Sequence, residues 1–230
     1  MKLFQKKNQQ VQEASVKQQT RLIVFAGSEN GLFPFLTAVK LKNNENDVLL
    51  VDNSQTHDIF SAVPKQGEIG NANEVSVVAD RMITPEVFEK FDYVIAYLGY
   101  NYEESYYQQA DLFVLLCDYT LVARQFMHDF DPQGTPVRLV FFNRISNRVS
   151  EKSLVDVMQH CTMASLGEFI SLEFTEVDGA AYIGFLYEGY RSLSSMSREY
   201  QKAISIISND AIKGFQAQTE DEDATEEDKK

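Results

Sequence analysis

Ala26-Gly27-Ser28-Glu29-Asn30-Gly31-Leu32-Phe33-Pro34-Phe35 joins an apolar run, Arg21 to Ala26, to a segment of helical spacing from Phe33 to Leu41. A glycine-bearing loop between strand and helix is a ready phosphate cradle, because consecutive backbone N–H groups and a helix N-terminus converge on one point. This loop has the position without the residues. It contains no lysine, and no hydroxyl stands where a phosphate-bound cation would need one. The stretch predicts a nucleotide-binding fold that has lost its chemistry.

Outward from the loop, apolar runs alternate with amphipathic ones. Strands are expected at Asp47 to Val51 (ending in Asp52), Val75 to Ala79, Tyr93 to Leu98, Leu112 to Cys117, Val137 to Phe142 and Phe169 to Phe174. Helices are expected after Thr84-Pro85, over Glu103 to Ala110, Thr120 to Phe130 and Ser150 to Cys161, and from roughly Ser194 to Ile207. Continuous apolar strands alternating with helices predict an α/β fold, a mostly parallel sheet with helices on both faces in three layers. Ligands of such sheets sit at the carboxyl ends of the strands. The loops after Ala26, Val51, Leu98, Cys117 and Phe142 are therefore the informative ones.

Composition bounds the rest. A chain of 230 residues with 44% hydrophobic content can bury one substantial core. Residues 1–20 form a polar, basic leader, residues 21–215 the α/β domain, and residues 216–230 an acidic tail expected to be disordered. The net charge of −13 argues against a nucleic-acid binder, whose affinity comes from clustered Lys and Arg. The segment from Glu220 to Lys230 alone carries a net −5. No apolar run is long enough to span a bilayer and no signal peptide is evident, so a cytoplasmic protein is expected. Cys117 and Cys161 lie in apolar sequence without metal-ligand spacing and read as buried thiols.

The order of segments resembles the deviant P-loop ATPases of the MinD/ParA class over about residues 21 to 207. Four stretches carry the resemblance together: Val48-Leu49-Leu50-Val51-Asp52; Phe91-Asp92-Tyr93-Val94-Ile95, leading to Walker B; Ala110-Asp111-Leu112-Phe113-Val114-Leu115-Leu116; and Leu139-Val140-Phe141-Phe142-Asn143-Arg144, ending in the Asn-Arg pair that meets the base. A working loop of that class reads approximately Lys-Gly-Gly-x-Gly-Lys-Thr. Matching Gly27 and Gly31 puts Glu29 at the first lysine and Asn30 at a glycine. Phe33 then falls at the next glycine, Pro34 at the second lysine and Phe35 at the threonine.

Each departure has a physical consequence. Phe33 adds bulk where backbone must approach the ligand. Pro34 removes an N–H donor yet suits a first helical turn. Glu29 adds charge of the wrong sign, a repulsion on the order of 4 kcal/mol at ~4 Å and an effective dielectric of about 20. Magnesium would need the loop hydroxyl and an acid at the end of the Walker B strand, positions held by Phe35 and Tyr97. The resemblance therefore implies a vestigial nucleotide site, Gly27, Ser28, Glu29, Asn30, Gly31, Phe33, Pro34, Phe35, Asp52, Tyr97 and Asn143, with no catalytic residue, metal or cofactor. Asp52 matches an aspartate near the attacking water, and equally reads as a turn or helix cap.

Other residues are weaker candidates. His57, His128 and His160 are scattered without ligand spacing, and Asp52, His57 and Asp58 read as a solvated loop. Tyr97, Tyr100, Tyr102, Tyr106 and Tyr107 make an aromatic cluster where an active relative has its switch. Part of that cluster serves core packing on one reading; Tyr100, Tyr102, Tyr106 and Tyr107 form an interface on the other. Arg138, Arg144, Arg148 and Lys152 are the best nucleic-acid candidates, against a reading as solvated residues at a strand end.

The expected function is a non-catalytic MinD/ParA-like scaffold or localisation factor. It would be a homodimer or a heterodimer within a multi-protein assembly, most similar to the TadZ branch linked to bacterial pilus, secretion or conjugation machinery. Membrane contact is expected to be indirect, or weak through Leu3 and Phe4 of the leader, with the protein peripheral at the inner face of the membrane at most. The alternatives are a weak ATPase with a rearranged or partner-completed site, and a partition-type DNA-binding protein.

Overall fold

A computed structural model describes residues 20–214, apart from 83, 145–148, 162–165, 167 and 190–191. Residues 1–19 of the leader, the whole acidic tail and Arg148 fall outside the described residues.

Among the described residues, nine strands form one sheet. They are β1 (Arg21–Gly27), β2 (Val48–Asp52), β3 (Lys65–Gln66), β4 (Ile69–Ala72), β5 (Val75–Ala79), β6 (Tyr93–Gly99), β7 (Leu112–Cys117), β8 (Val137–Arg144) and β9 (Ile170–Glu173). Their order is β3-β4-β5-β2-β6-β1-β7-β8-β9. From β5 to β9 every pairing is parallel, while β3 and β4 add an antiparallel hairpin at one edge. Among the described residues eight α-helices accompany them: α1 (Leu32–Lys42), α2 (Asp58–Ala62), α3 (Pro85–Phe88), α4 (Glu104–Tyr107), α5 (Leu121–Asp129), α6 (Glu151–Val155), α7 (Glu176–Glu188) and α8 (Arg198–Lys213).

The period-2 alternation of the strands divides the core into two layers. On β1, Ile23 and Phe25 face the cluster that includes α1, α7 and α8, while Leu22, Val24 and Ala26 face the one that includes Met127 of α5 and Leu154 of α6. Strand β6 repeats this with Ile95 and Tyr97 on the first side, Val94 and Ala96 on the second. Central strands are buried on both faces, which accounts for their unbroken apolar sequence. Helix α1 is enclosed nearly all round: Leu32 to Val39 are all buried.

Several boundaries differ from expectation. Helix α4 spans Glu104–Tyr107 rather than reaching Ala110, and α6 ends at Val155 rather than Cys161. The last helix starts at Arg198, capped by the Ser197 hydroxyl, and runs to Lys213; a 3-10 turn, Leu193–Ser195, precedes it. Helices α2 and α7 and the β3–β4 hairpin were not expected. Two glycines, Gly179 and Gly184, weaken the helical signal of α7, yet its start is written locally. The Thr175 hydroxyl accepts from the Asp178 N–H in the manner of an N-cap.

Candidate functional site: a phosphate loop closed from within

The loops after β1, β2 and β6 meet at the carboxyl edge of the sheet, where the chain order turns from one half to the other. The first loop is pinned by backbone. Ser28 N–H donates to Leu116 O at 2.7 Å. Gly27 has φ +100, and a Cβ there would lie 2.2 Å from that same carbonyl oxygen, so the close approach requires glycine.

Helix α1 then begins at Leu32, with Gly31 as its cap residue. This is earlier than the alignment of lysine and threonine with Pro34 and Phe35 implied. In either register the first turn, Leu32-Phe33-Pro34-Phe35, carries neither ammonium nor hydroxyl, and all four side chains are buried. Phe33 packs on Phe142 and Tyr200 with ring centroids 5.2 Å away in each case. The helix end that would face a phosphate is instead anchored in the core.

Tyr97, at the end of β6, closes the loop. It is fully buried. Asn30 N–H donates to its hydroxyl at 2.8 Å, and that hydroxyl donates to Glu29 Oε2 at 2.9 Å. Thr56, in the loop after β2, also donates to Glu29 Oε2, at 3.1 Å. A loop N–H of the kind that would hold phosphate is thus satisfied by a phenol. A carboxyl occupies the same neighbourhood.

Burial raises the Glu29 pKa, opposed by the hydrogen bonds from Tyr97 and Thr56 and reinforced by the charges of Asp58 and Asp52. Tyr97 is pushed well above the ordinary phenol range by burial and by Glu29. Gly99, at φ +55, passes so close that a Cβ would lie 2.2 Å from Glu29 Oε1. Tyr97→Phe is expected to cost about 1–3 kcal/mol of stability, because the Asn30 N–H and the Glu29 carboxyl would both lose a partner in a buried place. Chemical denaturation measures it, and an unchanged midpoint would remove the bridge from this description.

Asp52 is fully buried and bound to the chain itself. Its Oδ2 accepts from Ile59 and Phe60 N–H, both at 2.9 Å, and its Oδ1 accepts from the Ser54 hydroxyl at 2.6 Å. The carboxylate thereby caps α2. Burial raises its pKa against those hydrogen bonds. Asn143, at the end of β8, has φ 53 and is exposed at the rim of a cleft beside the loop.

The resident group that this fold implies is a magnesium nucleotide, and the side chains do not fit it. Glu29 repels phosphate, the helix start lacks a cation ligand, and Tyr97 holds the loop donor that phosphate would take. Among the described residues, no group of three or more His, Cys, Asp or Glu side chains is placed to hold a metal ion.

The tyrosine cluster divides differently from its expected role at an interface. Tyr106 and Tyr107 are 1% and 3% exposed and belong to the core under α4. Their backbone stretch reads as one turn of helix whose buried face points inward, so neither is available to a partner. Tyr106 donates to Arg81 O, and Tyr107 packs on Phe113 at 4.9 Å. Tyr102 is 61% exposed, and Tyr100 is half-buried, its hydroxyl 3.2 Å from Ser28 Oγ.

The basic set also disperses. Arg138 is buried against Asp210, Arg144 pairs with Glu151 at 3.1 Å, and Lys152 is exposed on α6. Thr56 and Tyr200 belong to the site and were not foreseen. Their contacts join segments 27 and 170 residues away from the loop, a distance that local pattern does not encode.

No protein-family model matches the chain, and no curated protein matches it in sequence. Fold comparison finds the same architecture in solved ParA and MinD ATPases. A ParA family ATPase of Chlorobium tepidum aligns at TM-score 0.57 with 11% identity, covering 82% of this chain and 97% of that one. MinD, the cell division protein of Aquifex aeolicus, aligns at 0.56 with 13% identity over 86% and 99% of the two chains. An ATP complex of McdA from Cyanothece aligns at 0.56 with 12% identity over 88% and 100%. At these identities the likeness is one of fold.

Proposed function

We propose that the chain is a non-catalytic MinD/ParA-like protein, a pseudo-ATPase that keeps the fold of a nucleotide switch as a scaffold or localisation factor for a protein assembly. The observation that carries this reading is the Asn30–Tyr97–Glu29 bridge, which spends a loop donor internally and sets a carboxyl beside it. The bulky first turn of α1 supports it independently.

The neighbours in fold include a MinC:MinD cell division complex and an ATP complex of McdA. By analogy with them, this chain acts by pairing with a second copy or with another protein, and pairs without waiting for nucleotide. A TadZ-like place in a bacterial pilus, secretion or conjugation assembly, peripheral to the inner membrane, is the setting proposed. No helix among the described residues is long and apolar enough to cross a membrane.

Calorimetry with Mg-ATP tests the reading. No binding tighter than ~100 μM is expected, since both the attraction from lysine and the metal ligands are missing. A tighter isotherm overturns the pseudo-ATPase.

A further inference from the structure

Helix α7 is out of keeping with its place on the surface. From Gly179 to Tyr187 its sequence, Gly-Ala-Ala-Tyr-Ile-Gly-Phe-Leu-Tyr, holds no charged residue, so this stretch is apolar on every side. A helix of that kind is normally enclosed. One side is: Ala181, Gly184 and Phe185 are buried, and the Phe185 ring lies 5.1 Å from that of Phe35. The opposite side is open. Ala180, Ile183 and Tyr187 follow the spacing of a single helix face, and Ile183 and Tyr187 are 55% and 85% exposed. Val177 and Phe174, also exposed, extend the face toward β9. Contiguous exposed apolar surface of this kind marks a contact site.

The rim of the face has one sign. Glu173 and Glu176 are exposed at its β9 end, and residues 173–189 contain four acidic residues and no lysine or arginine. Arg144, in register with Glu173 across β8 and β9, is held by Glu151 at 3.1 Å. A second copy of the chain would bring the same acids against these, so like charges oppose self-association through this face. Its complement is a segment whose apolar side chains are flanked by ammonium groups.

Such a segment is Lys2-Leu3-Phe4-Gln5-Lys6-Lys7, in a leader that carries four lysines and one glutamate over residues 1–19, a net of +3. Its point of attachment lies within reach of α7. The Arg21 guanidinium donates to Ala211 O on α8 at 2.8 Å, and at the other end of α8 the Ser197 N–H donates to Asp178 Oδ1 of α7 at 2.8 Å. From Ser197 to Ala211 is about 21 Å at 1.5 Å per residue. Residues 7–19 span up to roughly 43 Å when extended, enough to carry Leu3 and Phe4 along α8 to α7. Covalent attachment also raises the effective concentration of the segment, so modest contacts suffice.

We infer that the leader of the same chain occupies this face, with Leu3 and Phe4 seated against Ile183 and Tyr187 and the lysines turned toward Glu173 and Glu176. This contact goes beyond the pseudo-ATPase reading and is independent of whether the loop binds nucleotide.

The test is zero-length carbodiimide coupling of lysine to carboxylate in the full-length protein, using an equal mixture of isotope-labelled and unlabelled chains read by peptide mass spectrometry. Links from Lys2, Lys6 or Lys7 to Glu173 or Glu176 are expected, each joining peptides of one isotope. The double variant Leu3→Ser with Phe4→Ser should lower their yield at least roughly tenfold, the worth of burying one large apolar side chain. Tyr187→Ser, at a side chain open to solvent, keeps the fold and should lower the yield in the same direction.

Absence of these links overturns the inference, as does their presence only between different isotopes, which would give the face to a second copy. Links undiminished in both variants overturn it too, since charge alone would then bring lysine to carboxylate. Leader lysines joined only to the acids of residues 220–230 would place the leader on the acidic tail instead, and have the same effect.

Discussion

Phe33→Ala is expected to destabilise the domain by about 3–5 kcal/mol, the range for removing a large buried aromatic side chain from a core that cannot collapse around the gap. Phe33 is fully buried, and its ring meets Phe25, Phe142 and Tyr200, so the loss reaches β1, β8 and α8 together. For a domain near 200 residues this corresponds to a melting temperature lower by roughly 6–20 °C. Phe33→Leu, which retains most of the volume, should cost clearly less. Thermal and denaturant unfolding measure both. A Phe33→Ala loss under about 1 kcal/mol would mean that the first turn of α1 is not the anchor described.

Asp210→Ala is the second large effect, also expected at about 3–5 kcal/mol, because removing one partner of a buried ion pair leaves the other charge uncompensated. Arg138 Nε donates to Asp210 Oδ2 at 2.8 Å, and the side chains are 7% and 10% exposed. A second guanidinium N–H donates to Glu168 O at 2.6 Å, which holds Arg138 in place when Asp210 is gone. Burial raises the Asp210 pKa, opposed by Arg138, so the pair already works against desolvation.

Replacing both members by apolar residues, Arg138→Met with Asp210→Leu, should therefore cost much less than Asp210→Ala alone. Denaturant unfolding of the single and double variants gives the comparison. A double variant as unstable as the single would show that packing, not charge, sets the cost. The same contact removes Arg138 from any role toward phosphate backbones.

The central sheet was legible because its strands are buried on both faces and read as unbroken apolar runs; Leu112 to Cys117 is the same in sequence and in structure. The absence of a lysine and a hydroxyl from the first turn of α1 was legible too, since it is a local fact. What fills the loop was not. Tyr97 at the end of β6 signals only that an acid is absent; its bridge to Asn30 and Glu29 depends on two parallel strands lying side by side, Phe25 opposite Tyr97. The burial of Tyr106 was hidden for a similar reason, because its hydroxyl reaches Arg81 O across 25 residues. Helix α7 escaped through its glycines although Thr175 and Asp178 marked its start.

The Tyr97 bridge bears on how the protein responds to its surroundings. A protein whose phosphate loop is filled by a ligand gains stability in proportion to the logarithm of that ligand's concentration, so its folded population follows supply. Here the group that fills the donor is covalently part of the chain and always present. On the pseudo-ATPase reading proposed above, the domain's stability is uncoupled from the cell's nucleotide pool: it keeps one shape through starvation and plenty alike, which is what a fixed landmark requires and a timer cannot use.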